Sequence, residues 1–380
     1  MNALHTLFEP IRRESRYNEI DVMKGVGILL MVMGHAGIPI EKTFALFNMP
    51  FFFAASGYLW KKKYADSIEN VWMYTVRKFK KLMLPLIVTN ALFTILNNMF
   101  IRIGFLSDNP EFLSIAGYDA KLFYLTGMNE TISSIIKCVF TIGGTQLAGA
   151  GWFLRCLFVV NVVHCFISWI IRKSRIIHIK TFFSIVFLVS LICAWLCDLG
   201  YGQFLKGFRA EFAAYAAFLM GYGLKYVKGY DRLCTTSIAK IAIVIVSTMV
   251  LNILVMYGSV AINIAHITNP LFFILTTTIG WLLLYSISLL LIEYKLDKAL
   301  IELQKASMHI ILLHFLAFKL VSFMYLKISR KPLLLLASFP VIRQCPTWMW
   351  INYSIVGVLI PYIFYRFWSK IKHKVACKIH

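Results

Sequence analysis

Acidic residues are scarce in this sequence. Seventeen Asp and Glu stand against 39 Lys and Arg in 380 residues, a formal net charge of +22. Such an excess can mark a nucleic-acid partner, but here the basic residues form no single patch. They sit in short runs between apolar segments, the distribution that fixes orientation in a bilayer, so no nucleic acid is expected. No stretch is polar enough for a soluble domain of any size. The eight cysteines show no metal spacing and most lie in apolar stretches, where they act as small hydrophobes, so no metal site is expected. The first twenty residues carry Glu9, Arg12, Arg13 and Arg16 and no leader-type apolar core, so no cleavage is expected. The internal repeat that marks many transporters is missing too.

What remains is apolar. Hydrophobic residues make up 59%, aromatic residues 15%, and mean hydropathy is +0.73. Soluble domains lie near 45–50% apolar and rarely repeat apolar runs of about twenty residues. The expected fold is therefore all-α: a polytopic integral membrane protein, one transmembrane domain over residues 1–380. About ten spans are expected, at 20–40, 43–60, 82–101, 151–171, 181–199, 208–226, 238–257, 271–293, 305–326 and 350–368. Pro50 falls inside the second and should kink or restart it.

With the N-terminus on the cytoplasmic side, inside segments hold 26 of the 39 Lys and Arg and outside segments hold 10, terminal turns being counted with the adjoining loop. Lys24, Arg155 and Lys319 lie within spans. The positive-inside rule then puts both ends (segment 1–19 included) in the cytoplasm; a bacterial inner, cytoplasmic membrane is the expected location. The longest connection, 102–150, faces out. It contains an amphipathic stretch, Thr131–Phe140, and a glycine-rich run, GGTQLAGAG, whose glycines allow close backbone approach to a ligand or form a flexible linker.

Ionisable side chains in hydrocarbon cost several kcal/mol unless paired or hydrated, about 2.5–3.5 at a helix centre on insertion scales. The first span, IDVMKGVGILLMVMGHAG, is richest in them. Asp21 and Lys24 are three apart and can pair. Lys24 and His35, eleven apart, share a face and lie about 16 Å apart along the axis. Asp21, Lys24, Ile28, Met31 and His35 thus form one stripe, flanked by Gly25, Gly27 and Gly34. Arg155, Asp198 and Glu211 are expected at the outer depth of His35, with Glu211 a candidate to orient its ring. They could bind a polar substrate or knot helices together. Ser307 and His314 share a face of the ninth span and His309 lies elsewhere; His164 reads as packing.

The run from Arg16 to Trp60 resembles the N-terminal signature of the acyltransferase-three family of integral membrane O-acyltransferases. The matching residues are Asp21, Lys24, the Gly-His of His35, and then FNMPFFFAASGYL; WFLRCLF at 152–158 and SMHIILLH at 307–314 are weaker echoes. The short form is most similar to the fucose 4-O-acetylase-like branch. Many relatives carry arginine where Lys24 stands. Some branches carry an acidic residue after the tryptophan matched by Trp152, and this sequence does not.

The resemblance implies acetyl or other acyl transfer from cytoplasmic acyl-CoA, a donor substrate rather than a bound cofactor, to a hydroxyl of a surface or secreted carbohydrate or glycolipid. His35 would be general base or transient acyl carrier, with Lys24 and Asp21 at the acyl-CoA mouth. Glu211, Arg155, Trp152, Asn48, Ser56 and His314 are the candidate substrate-binding residues. Asn48 and Ser56 can equally satisfy backbone freed by Pro50. A lipid-linked sugar or polysaccharide export component is the competing class, and a polysaccharide polymerase ranks below it, since the outer loop holds only one arginine, Arg102. The acceptor, the acyl group and the oligomeric state are not legible.

Overall fold

Apolar periodicity, punctuated by caps and prolines, becomes a chain of helices in the computed structural model, which describes residues 18–116, 122–140, 145–174, 178–201, 208–227, 234 and 236–379, the side chains of 138–140 and 372–379 excepted. Most of segment 1–19 and Gly143–Gly144 therefore lie outside the described residues.

Helix α1, Asn18–His35, has Glu19 and Asp21 in its first turn and His35 in its last, the arrangement the helix dipole favours. The expected second span is broken. A short turn, Glu41–Ala45, ends, and α2 starts anew at Asn48 and runs to Tyr58. Pro50 sits in the first turn of α2, where its missing N–H leaves no bond unmade. Ser67 caps α3, Ile68–Lys78, by accepting from the backbone N–H of Asn70 at 3.2 Å. A π-type turn, Phe79–Met83, carries the helix on into α4, Leu84–Ile95, and relieves the strain of Pro85.

There follow α5, Met128–Phe140, which matches the amphipathic stretch and packs on α4; α6, Trp152–Lys173; α7, Ile179–Asp198; α8, Arg209–Leu224; and α9, Ser237–Leu254. Asn269 caps α10, Pro270–Glu293, accepting from the N–H of Phe272. Helix α11, Asp297–Ile328, is 32 residues long, and α12, Trp350–Ile379, closes the chain. Between α9 and α10 a two-stranded hairpin pairs β1, Val260–Ala261, antiparallel with β2, His266–Ile267.

Among the described residues, six helical stretches are long and apolar enough to cross a membrane: Gln146–Lys173, Ile179–Asp198, Ser237–Leu254, Pro270–Glu293, Asp297–Ile328 and Thr347–Ile371. The other four expected spans are helical but shorter or more charged. Helix α1 carries Glu19, Asp21 and Lys24 within 18 residues, while α2, α4 and α8 have 11, 12 and 16. Apolar side chains such as Ile185, Val246, Met249 and Leu359 point outward, where only lipid would welcome them. The protein is a multi-pass membrane protein.

Helix α1 is wrapped by α2, α10, α11 and α12. Helices α2 and α8 pack closely, through small residues on both sides. A Cβ at Gly221 would stand 1.8 Å from the Ala54 carbonyl oxygen, and one at Gly57 would stand 1.9 Å from that of Phe218. Gly221→Leu must therefore part the two helices. The variant is expected to lose its monodisperse peak on size exclusion in mild detergent; normal elution and thermal stability would show that the crossing tolerates a side chain.

The glycine-rich run is no linker over its described part. Gln146–Gly151 forms a compact 3₁₀ turn, mostly buried, packed on α11 and continuous with α6. Leu147 and Ala148 join the Phe93 and Phe100 cluster, and a Cβ at Gly151 would meet the Leu86 side chain at 2.3 Å. Apolar residues alternating with the glycines supply a packing face that composition alone conceals.

Candidate active site

The last two turns of α1 form one wall of a cavity of about 340 Å³. Ile28, Met31 and His35, three members of the sequence stripe, line it. Asn48 and Phe52 of α2, Trp152 and Phe153 of α6, and the strand and turn around Val260–Asn263 close the other sides. The stripe lines the cavity over about 10 Å from Ile28 to His35, at 1.5 Å per residue. Glu41 and Lys42 also line it. A Cβ at Gly34 would meet open space, so this glycine leaves room in the cavity wall.

His35 is held by a second histidine. Its Nδ1 lies 2.9 Å from Nε2 of His314, the two rings nearly coplanar at 8°. Phe315 packs against both, 4.9 Å and 4.0 Å between ring centroids. His314 is fully buried, and its Nδ1 lies 2.8 Å from the Ile310 carbonyl oxygen. A carbonyl only accepts, so His314 Nδ1 carries a proton, and neutral His314 presents Nε2 as an acceptor. His35 Nδ1 must then be the donor. That leaves His35 Nε2 with its lone pair, and among the described residues it has no hydrogen-bond partner. With both rings neutral, the buried His314, bonded to a backbone carbonyl, thus leaves a basic nitrogen on the half-buried His35 that lines the cavity.

Asn48 is the other oriented polar group. Its Nδ2 donates to the Gly27 carbonyl at 3.2 Å, while Oδ1 is buried with no partner among the described residues. Asn48 is thus half satisfied, with an acceptor to spare.

The polar residues expected near His35 separate into distinct pairs. Arg155 Nη2 meets Glu211 Oε1 at 2.6 Å, both side chains buried, with Phe208 beneath the guanidinium at 5.1 Å. Glu211 therefore does not orient His35; His314 occupies that role, because α11 rather than α8 faces α1 here. Asp198 meets His266 of β2 at 2.9 Å. Ser56 does not line the cavity. It bonds to Asn161 Oδ1 at 3.1 Å, which also accepts from the Tyr74 hydroxyl at 2.7 Å, a tie between α2, α3 and α6. His309 turns toward Phe364 and Tyr365, and His164 is buried among aromatic rings with Nδ1 3.2 Å from the Tyr215 hydroxyl.

At the other end of the stripe Lys24 lies within electrostatic reach of Asp21, Lys81 and Lys78. Burial, then the charges of Lys81 and Lys24, hold the Lys78 ammonium down to about 7. Several cations crowded together favour an anion. Lys78 and Lys81 were visible in the sequence only as loop charge, because nothing in their spacing says that the fold brings them within reach of Lys24.

A family profile described as an acyltransferase domain matches residues 17–366. The chain belongs to the acyltransferase-three family. That match covers every residue of the cavity described above and both histidines. No curated protein and no solved structure matches the chain. This membrane acyltransferase has further cavity residues that sequence reasoning passed over: Glu41, Lys42 and the Val260–Asn263 turn. The turn had no legible signal, since its role depends on α9 and α10 bringing the hairpin back over α1.

Proposed function

We propose that the protein transfers an acetyl or similar short acyl group from cytoplasmic acyl-CoA to a carbohydrate hydroxyl on the outer side of a bacterial inner membrane, as in the fucose 4-O-acetylase-like branch. The observation that carries this reading is the His35–His314 pair on the cavity. The topology that goes with it has ten crossings and both termini in the cytoplasm, supported by the positive-inside bias. Helix α1 is about 27 Å long at 1.5 Å per residue, close to the hydrocarbon thickness. Helix α4 with the helical turn that follows it, the restarted α2 and α8 would supply the other short crossings.

In this scheme Lys24, Lys78 and Lys81 meet the phosphates of acyl-CoA, with Asp21 keeping Lys24 in place. The thin arm follows the α1 stripe past Ile28 toward His35. The acceptor hydroxyl enters the cavity, its oxygen near His35 Nε2 and a neighbouring hydroxyl donating to Asn48 Oδ1. Trp152 offers an apolar platform for a sugar ring. As the hydroxyl oxygen attacks the thioester carbonyl, its proton passes to Nε2 and the C–S bond breaks. The CoA thiolate then takes up that proton and leaves as the thiol. An acyl-imidazole, if formed, would arise on the same nitrogen, and trapping acyl-enzyme without acceptor distinguishes the two routes. Arg155, Glu211 and Ser56 act here as structural supports.

The test is CoA release and radiolabel transfer by the detergent-purified protein, given acetyl-CoA and a panel of lipid-linked and soluble glycans. Label on a glycan supports the reading; failure to bind any acyl-CoA shifts it to a carrier. His314 is a positioning residue in this scheme. His314→Leu is expected to lower kcat about 10- to 100-fold by freeing the His35 ring and its tautomer. His314→Gln keeps an acceptor for His35 Nδ1 and should recover much of that loss. Equal rates in both variants would remove His314 from the mechanism.

A further inference from the structure

A second recess lies away from the cavity, where the start of α7 meets the end of α8. It is a groove of about 760 Å³, lined by Lys62, Lys180, Phe183, Phe187, Met220 and Tyr226 among others. At its mouth two ammonium groups share one aromatic ring: Lys62 Nζ lies 5.5 Å and Lys180 Nζ 5.9 Å from the centre of Tyr226. Both lysines are exposed, and neither has a carboxylate partner among the described residues. Two unneutralised cations held together repel, so the arrangement gains from an anion placed between them.

Deeper in, the lining changes character. Phe183 and Leu219 are buried, and Phe187 and Met220 half-buried. From Lys180 to Phe187 the groove follows α7 inward for about 10 Å at 1.5 Å per residue. An adjoining recess of about 160 Å³ shares Lys62, Phe183 and Tyr222 with the groove. Trp60 and Ser168 line that recess too, and their Nε1 and Oγ are buried donors without partners among the described residues. Cations at the mouth, spare donors beside them and an aromatic slot running into the membrane make an amphiphilic site. A soluble anion would use the first two features and leave the slot unfilled.

We infer that this groove binds an anionic phospholipid, its phosphate between Lys62 and Lys180, an ester oxygen at the Trp60–Ser168 recess and an acyl chain along Phe183 and Phe187. The site is independent of the acyl-transfer reading. It needs only that α7 and α8 end at a membrane face, where juxtamembrane lysines attract anionic headgroups.

The test is native mass spectrometry of the full-length protein with added phosphatidylglycerol or phosphatidylcholine. The wild type should retain phosphatidylglycerol in preference to phosphatidylcholine. The pair Lys62→Gln with Lys180→Gln should weaken that retention about thirtyfold. Gly223→Leu should block the slot without unsettling the fold, because Gly223 lines the groove and a Cβ there meets nothing within 4 Å. The control pair Lys327→Gln with Lys331→Gln should retain lipid as the wild type does. Equal retention in all variants, or equal retention of the two lipids, would overturn the proposal. Displacement of phosphatidylglycerol by inorganic phosphate or by CoA would also overturn it, in favour of a soluble anion.

Discussion

His35→Ala is expected to lower acyl transfer by about a thousandfold or more while the protein inserts, folds and elutes as the wild type does. General acid–base groups contribute roughly 10²- to 10⁴-fold, and here one nitrogen would serve the acceptor hydroxyl. The structural cost is small by comparison. Removing the ring deletes one hydrogen bond to His314 and extends a cavity that already exists, a loss of about 1–2 kcal/mol. Rate and stability therefore separate. Label transfer to the glycan should vanish, whereas size-exclusion profile and acyl-CoA binding should hold. Near-normal transfer by His35→Ala would sink the assignment.

Glu211→Ala is expected to do the reverse and strike the fold first. The 2.6 Å contact with Arg155 lies between two side chains that are 10% and 8% exposed. Removing one partner of such a pair costs about 3–5 kcal/mol, because the other charge stays buried. Folded yield and thermal midpoint should fall together. The double variant Arg155→Met, Glu211→Leu should regain much of the loss, since an apolar pair of similar size needs no solvation. A single variant that kept its thermal midpoint but raised KM for the acceptor would instead make Glu211 a substrate ligand, reached through Oε2, which has no partner among the described residues.

These two variants mark how far the sequence could be read. The helices over 151–171, 181–199, 238–257, 271–293, 305–326 and 350–368 were plain, because a long apolar run in a bilayer has one solution. The break near Pro50 was plain as well, since proline chemistry is local. The α1 stripe was legible for the same reason: 100° per residue puts Ile28, Met31 and His35 on one wall whatever surrounds them. Partnership was not legible. Glu211, Arg155, Asp198 and His314 were all read as polar groups inside spans, and depth alone sorted them. Which of them meet depends on how α8 and α11 sit around α1, and apolar faces toward lipid and toward protein look alike in sequence. The Gln146–Gly151 turn was misread because glycine content says nothing of whether Leu147 and Ala148 find a surface to pack on.

Lys319 on α11 bears on how the protein is made. Its ammonium is fully buried and donates to the carbonyls of Leu336 and Ser338, at 2.9 and 2.8 Å. Both acceptors lie 17 to 19 residues further along the chain. While α11 is entering the bilayer, those carbonyls have yet to arrive, and the charge has nothing to satisfy it. The helix therefore enters at a cost of about 2.5–3.5 kcal/mol that is refunded only when the 333–338 turn folds back over it. The end of α11 and the turn after it thus mature as one unit during synthesis.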